Sequence, residues 1–162
     1  MNQKLVSAIV KHIALEETAA RVYRNGAGWA AKYAWPGTCK KFHKEADEEN
    51  EHAAKWCQYA ELVKGDIKLD ALPAIAAGGK DQKLVDVYKA ALKIEQEVLD
   101  DIDRICKLAD DEGDCDIDRF LHEFSQAGRE QIDWLQTMVD RLTRAADCIA
   151  SMELLDHDSG NA

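Results

Sequence analysis

Four segments of about 30 residues each carry apolar or small side chains at the three-to-four-residue spacing of an α-helix. They cover residues 4–33, 38–64, 82–110 and 116–146, and a short fifth helix is predicted at 147–155. The alternation of apolar and polar residues that is typical of a half-buried strand does not occur in the sequence. The pattern therefore predicts an all-α fold, a four-helix bundle with helices about 40 Å long.

The links between the four long helices are short, long and short. A short link makes neighbouring helices antiparallel, whereas the stretch at 66–81, which contains Pro73, is long enough to cross the bundle. Helices two and three then run parallel. The sequence predicts one long crossover and a short fifth C-terminal helix, within a single domain over residues 1–162.

The net charge of the chain limits the classes of partner that it can bind. It has 31 Asp plus Glu against 21 Lys plus Arg, for a formal net charge of -10. Such a surface repels nucleic acid and anionic membranes and attracts metal cations, so no nucleic acid and no membrane is expected as a partner. We see no membrane span and no signal peptide, and the five scattered cysteines favour free thiols in a cytoplasmic protein.

Carboxylates interrupt the apolar faces of three helices, each about halfway along. Glu16 lies on this face of the first helix, Glu49 and His52 on that of the second, and Glu95 on that of the third. Several converging buried carboxylates are tolerable when cations neutralise them. Glu49 and His52 are three residues apart and therefore share one side of their helix. Together, these oxygen and nitrogen donors suit iron better than magnesium or calcium.

The simpler alternative is a charged helical surface, because 32% of the residues are charged. A single Glu-x-x-His pair is weak evidence for a metal site. The other histidines are expected to be surface or packing residues: His12, His43, His122 and His157. The metal-site interpretation is favoured because the apolar faces of three helices carry a carboxylate at about the same height in the bundle. In addition, Tyr23 lies one heptad beyond Glu16.

The same residues resemble those of prokaryotic-type, non-haem ferritins over nearly the whole chain. The matching pieces are Glu16 with Tyr23 and Trp29, residues 48–52, residues 94–96, residues 120–121 and residues 138–142. The fourth helix has no Glu-x-x-His motif, which argues against bacterioferritin, rubrerythrin and ribonucleotide reductase relatives. Asn50 stands where bacterioferritins have a haem-binding methionine, so no haem is expected.

The resemblance implies an iron-storage protein with ferroxidase activity. Such a protein oxidises Fe(II) to Fe(III) with O2 or hydrogen peroxide at an intrahelical di-iron site, and mineralises the product inside a homo-oligomeric cage of 24 subunits. By resemblance, Glu16, Glu49 and His52 would hold the first iron. Glu49 would bridge to a second iron held largely by Glu95. Tyr23 would form a hydrogen bond near the site and supply an electron, so Tyr23 and Glu49 are the predicted catalytic residues.

The fourth helix departs from the family pattern. Gly128 and Gln131 stand where ferritins usually have Gln or Glu, with Glu130 beside them. The second iron would then be loosely held, or completed by Gln131 or Glu130. Glu48 and Glu130 also fall where prokaryotic ferritins form a third, outer iron site, although Ala127 replaces the third expected ligand.

An acidic run at 110–118 joins the third and fourth helices. By resemblance it would line a three-fold channel that concentrates Fe(II), but acids at a helix N-terminus also stabilise the helix dipole. Two other functions remain open for the whole chain. One is a non-storing di-iron oxidase or peroxidase of the same superfamily, and the other is a metal-free helical bundle that acts as an interaction module.

Overall fold

Five helices make up the described part of a computed structural model. It describes residues 3–63, 65–69, 71–76, 78–113 and 117–162, with the backbone alone at 118 and 119. The helices are α1 Gln3–Lys32, α2 Pro36–Leu62, α3 Leu84–Glu112, α4 Asp118–Ala145 and α5 Ile149–Ser159. No strand occurs in these ranges. The predicted all-α fold, with a short C-terminal helix, is confirmed.

The helix boundaries lie close to the predicted ones, and the largest differences have local causes. Pro36 was expected to separate the first two helices, but it begins α2, where its missing N–H group costs no helical hydrogen bond. The short α5 runs four residues beyond the predicted end at 155 and stops at Ser159, followed by Gly160.

The direction of the helices follows from their contacts. Gly26, near the end of α1, lies against Phe42 and Val87, which are near the starts of α2 and α3. An added Cβ there would be 2.7 Å from Phe42 Cδ2, so glycine is what allows this close approach. Both α2 and α3 therefore run antiparallel to α1 and parallel to each other, as predicted from the long crossover.

The crossover between α2 and α3 lies along α1. Three α1 side chains spaced four residues apart, and hence on one face of the helix, donate hydrogen bonds of 2.9–3.2 Å to its carbonyl groups. The pairs are Arg21 with Pro73, Asn25 with Ala76, and Trp29 with Gly79. These bonds fix the path of an extended segment that has no helix of its own among its described residues.

The apolar core consists of two clusters, one at each end of the bundle. One cluster is centred on Trp56 and Phe124 and the other on Tyr23 and Phe42. Buried carboxylates occupy the layer between the two clusters. The helices thus hold a polar centre midway along the bundle, between two apolar ends.

The expectations about membrane spans and cysteines can be compared with the described residues. None of the described helices is long and apolar enough to cross a membrane. Among the described cysteines, none takes part in a disulfide, and Cys115 lies outside the described residues.

The first turn of α2 is capped by a side chain from α5. The carboxylate of Asp156 accepts hydrogen bonds from the N–H groups of Gly37, at 2.9 Å, and Thr38, at 2.7 Å. An added Cβ at Gly37 would lie 1.7 Å from the Asp156 carbonyl oxygen, so glycine allows α5 to approach. A buried anion at the positive end of α2 stabilises that helix and holds α5 against it.

Replacing Asp156 by alanine should lower the free energy of unfolding by about 2 kcal/mol, because it leaves two backbone N–H groups without their acceptor. Urea denaturation of the metal-free protein measures the effect. Asp158→Ala is the matched control, since Asp158 is half-exposed and 3.7 Å from Arg141. Equal losses in the two variants would contradict the capping role.

Candidate metal centre

Four buried carboxylates meet in the layer between the two apolar clusters. Their relative exposures are 0% for Glu16, 3% for Glu45, 4% for Glu49 and 3% for Glu95. Glu16 comes from α1, Glu45 and Glu49 from α2, and Glu95 from α3. The three acids predicted to lie on buried faces do so, and Glu45 adds a fourth.

The two oxygens of the Glu16 carboxylate lie in different environments. Its Oε1 lies 3.0 Å from His12 Nε2 and accepts a 3.2 Å hydrogen bond from Trp56 Nε1. Its Oε2 has no hydrogen-bonding partner within the described part of the chain. The free oxygen lies 3.9 Å from His52 Nδ1, so Glu16 presents one unshared oxygen to the centre.

Glu49 faces the same point from α2. Its Oε2 is also buried without a hydrogen-bonding partner among the described residues, and it lies 3.5 Å from His52 Nδ1. Glu16, Glu49 and His52 each offer one ligand atom, and these three atoms lie within 4.8 Å of one another. Unpartnered buried oxygens are costly, and a cation bound between them would remove that cost.

Glu95 lies in a second hydrogen-bonded group beside the first. The Tyr23 hydroxyl donates to Glu95 Oε1 at 2.5 Å. Burial, followed by the charge of Glu95, raises the pKa of Tyr23 well above its ordinary value, so the phenol keeps its proton. Gln131 Nε2 donates to Tyr23 at 2.9 Å and to Glu45 Oε2 at 2.6 Å. The amide nitrogen of Gln131 is therefore occupied, and its carbonyl oxygen is the atom left for a metal.

A pocket of about 280 Å³ opens from this group towards the surface. Two partly or fully exposed acids, Glu48 and Glu130, lie on its wall together with Gly128. Glu48 is 3.9 Å from Lys44, and Glu130 accepts a hydrogen bond from Gln126. The structure thus brings the predicted outer residues to the pocket but not into the buried cluster.

The buried carboxylates differ in charge. Burial and the nearby Glu95 and Glu16 raise the pKa of Glu49 to about 12. Burial raises the pKa of Glu95 to about 7, against the effect of the Tyr23 hydrogen bond. Burial acts in the same direction on Glu16, but the hydrogen bond and charge of His12 outweigh it, so its pKa is lowered. Near neutral pH Glu49 keeps a proton that a metal ion would displace.

Two residues of the centre were missed in the sequence. Of the two roles expected for His12, surface or packing, the structure shows packing: the side chain is fully buried, and the centre of its ring lies 4.3 Å from that of Trp56. Besides bonding to Glu16, it contacts Asp101 on α3. Glu45 is absent from the predicted ligand set. Both residues stand four positions before a proposed ligand, Glu16 or Glu49, and that spacing was the available signal.

Other predicted features lie apart from the centre. His43, His122 and His157 are exposed. In the acidic run at 110–118, Asp110 to Glu112 are exposed at the end of α3. The remaining acids of that run lie at 114, 116 and 118, and their side chains are outside the described residues. The proposed channel therefore stays a prediction.

The donor set fits a transition metal. Carboxylate oxygens with one imidazole nitrogen suit iron and its neighbours, whereas magnesium and calcium prefer oxygen donors alone. The direct evidence of fit is that Glu16 Oε2 and Glu49 Oε2 are buried with no N–H or O–H donor from another described residue. Near neutral pH only the proton of Glu49 lies between the two carboxylates, and a metal ion would take its place.

Known proteins share both the sequence pattern and the fold of this chain. A family model described as a ferritin-like domain matches residues 6–145. The fold is similar to that of an open-pore ferritin from the hyperthermophilic archaeon Archaeoglobus fulgidus, with a TM-score of 0.93 and 19% identity over 99% of this chain and 98% of that chain. It is also similar to an iron-soaked variant of PmFTN, with a TM-score of 0.90 and 22% identity over 96% of this chain and 99% of that chain. No curated protein matches the sequence.

Proposed function

Because this chain belongs to the ferritin family, we propose that it oxidises Fe(II) to Fe(III) at the buried centre and stores the product inside a homo-oligomeric cage. The observation that carries the proposal is the pair of unpartnered oxygens, Glu16 Oε2 and Glu49 Oε2, that face one another beside His52. Iron is here the substrate, and these residues are its first binding place.

The first Fe(II) would be bound by Glu16 Oε2, Glu49 and His52 Nδ1. Glu49 would also reach the second Fe(II), which Glu95 and the carbonyl oxygen of Gln131 would hold. The supporting geometry is the hydrogen bond from Tyr23 to Glu95, which orients that carboxylate. The role of Tyr23 as an electron donor stays a prediction.

Three acids at the pocket would extend the path of iron. Glu45 is buried next to Gln131, and Lys41 Nζ lies 2.7 Å from its Oε1. Glu48 and Glu130 lie further out on the pocket wall. We propose that these three acids hold iron on its way between the centre and the cage interior. They would do so in place of the third, outer iron site of prokaryotic ferritins, whose third expected ligand is replaced here by Ala127.

The chemistry follows from charge. Anionic oxygens favour Fe(III) over Fe(II), so the carboxylates lower the potential of bound iron and favour its oxidation. Two Fe(II) ions give two electrons, which reduce one O2 to hydrogen peroxide with the uptake of two protons. Glu49 loses its proton when iron binds, so this residue couples binding to proton release.

The assembly and location are part of the proposal. We propose a cage of 24 subunits in the cytoplasm, where the described cysteines would stay reduced. The family membership supports the cage, since the structural relatives are ferritins.

The test is to add Fe(II) to the purified metal-free protein in air-saturated buffer, follow oxidation by absorbance, and then separate the particles by gel filtration. We expect fast oxidation of about two Fe(II) per subunit, followed by iron that elutes with a particle of 24 subunits. Fast oxidation without retained iron would favour the non-storing oxidase or peroxidase. Failure to bind iron at all would exclude both.

Gly128→Glu should tighten binding of the second iron and slow the release of ferric product. An added Cβ at Gly128 meets only Leu99 Cδ1, at 3.6 Å, among the described residues, so a side chain fits on this pocket wall. Anaerobic titration with Fe(II), followed by spectroscopy, counts the sites, and we expect about a tenfold gain in affinity of the weaker one.

Gly128→Ala is the matched control for this change. It adds up to about 1 kcal/mol of helix stability without adding a ligand. The interpretation of α4 is wrong if the wild-type protein already fills two equal, tight sites, or if both variants bind the second iron equally.

A further inference from the structure

His12 lies next to the centre but outside the set of proposed iron ligands. It is fully buried on α1, and both of its ring nitrogens face carboxylates. Nε2 is 3.0 Å from Glu16 Oε1, and Nδ1 is 2.9 Å from Asp101 Oδ2 on α3. Since an ionised carboxylate only accepts hydrogen bonds, each ring nitrogen acts as the donor. The two bonds fix both the position and the plane of the ring.

Asp101 is itself held from the surface side. Arg104, three residues further along α3, donates to Asp101 Oδ1 through two nitrogens. Only 17% of the Asp101 side chain is exposed. A continuous chain of contacts therefore runs from Arg104 through Asp101 and His12 to Glu16, and it ties α3 to the α1 side of the centre.

The consequence at Glu16 is an asymmetric carboxylate. Two donors, His12 Nε2 and Trp56 Nε1, share Oε1, which leaves Oε2 directed at the centre. Rotation of the carboxylate would break both bonds inside a buried site, where neither donor has another described partner to replace it. Glu16 is thus prepared to bind with one oxygen before any metal arrives.

We propose that His12, anchored by Asp101, is a positioning residue that restricts Glu16 to binding a divalent metal through Oε2 alone, and so sets the affinity of the Glu16–Glu49–His52 site. The inference rests on the proposed function, because it concerns the same site. Groups that orient metal ligands typically change affinity by about 10- to 100-fold when they are removed.

Co(II) is a suitable probe because its visible spectrum depends on coordination number and it does not turn over in air as Fe(II) does. The assembled protein is titrated with Co(II) under argon. We expect His12→Leu to weaken Co(II) binding by about tenfold or more and to reduce the visible absorption, because a released Glu16 binds through both oxygens. His12→Gln, which keeps one donor for Glu16, should recover part of the affinity.

Asp101→Ala tests the anchor without changing His12. It should weaken Co(II) binding in the same direction as His12→Leu, but by less. The matched control is Asp100→Ala, which removes the same charge from an exposed neighbour on α3 and should leave Co(II) binding unchanged. Because Asp101 is partly exposed, this variant keeps the test open if His12→Leu does not fold.

If His12 and Asp101 only stabilise the fold, their variants should change the melting temperature and not the Co(II) binding. If His12→Leu or Asp101→Ala lowers the melting temperature but keeps the wild-type Co(II) affinity and spectrum, the positioning role is overturned. If the wild-type protein binds no Co(II) at Glu16, Glu49 and His52, the proposed function fails first and the inference fails with it. The two failures are therefore told apart by the wild-type titration.

Discussion

Replacing Glu49 by glutamine is expected to slow Fe(II) oxidation by more than about 100-fold. Glu49 lies between the two proposed iron positions, so its loss removes a ligand from both, whereas loss of a supporting group alone costs about 10- to 100-fold. Glutamine has nearly the same shape, and Glu49 already carries a proton near neutral pH. The metal-free fold should therefore be little changed. The initial rate after mixing with Fe(II) in air-saturated buffer measures the effect.

Glu51→Gln is the matched control for this experiment. Glu51 is exposed on α2, two residues from Glu49, and the substitution removes a charge without touching the centre. Glu49→Ala should also lose fast oxidation, and His52→Ala should weaken chiefly the first iron. Wild-type rates in Glu49→Ala would show that the centre is assigned to the wrong residues.

Glu95→Gln is expected to stabilise the metal-free protein and to reduce its stabilisation by metal. The pKa of Glu95 is raised from 4.5 to about 7, so the folded state keeps a proton that the unfolded state loses in this range. Stability contributed by that proton is fully present below pH 4.5 and is lost as the pH rises to about 7. Each pH unit of this window corresponds to about 1.4 kcal/mol, so the loss is up to about 3 kcal/mol.

Calorimetry of the metal-free protein between pH 4.5 and 7.5 tests this prediction. The wild-type melting temperature should fall across the window, and Glu95→Gln should be higher at pH 7 by up to roughly 10 °C. A divalent metal should raise the wild-type value, because it binds only the folded state, and should raise that of the variant less.

Glu97→Gln is the matched control on α3, since Glu97 is half-exposed and 3.7 Å from Lys93. It should leave the pH dependence unchanged. An unchanged melting temperature in metal-free Glu95→Gln would mean that Glu95 is not held as a buried acid in solution.

The sequence predicted those parts of the structure that depend on periodicity. Helical spacing located the long helices and placed Glu16, Glu49 and Glu95 on buried faces, because position on a helix face follows directly from residue number. The sequence predicts a break at Pro36, because its context alone does not distinguish the residue before a helix from the first residue of that helix.

Contacts between distant parts of the chain could not be predicted in this way. The roles of His12 and Glu45 depend on Asp101 and Gln131, which are 89 and 86 residues away. A histidine near an acid on one helix is common, and only the packing of α3 against α1 gives His12 its second partner. The same reason applies to α4, where the contacts of Gln131 with Tyr23 and Glu45 join residues that are far apart in the sequence.

The division of the core into two apolar clusters has a consequence for how the metal-free protein moves. Helices normally open from their ends, where contacts are fewest. Here the middle turns of α1, α2 and α3 meet across a layer of carboxylates, while the turns on either side are held by Trp56 and by Phe42 with their neighbours. Backbone amides at mid-helix should then exchange with solvent more readily than those a few turns away. Bound metal would join the two halves into one cooperative unit, so the substrate itself would complete the folding of the bundle.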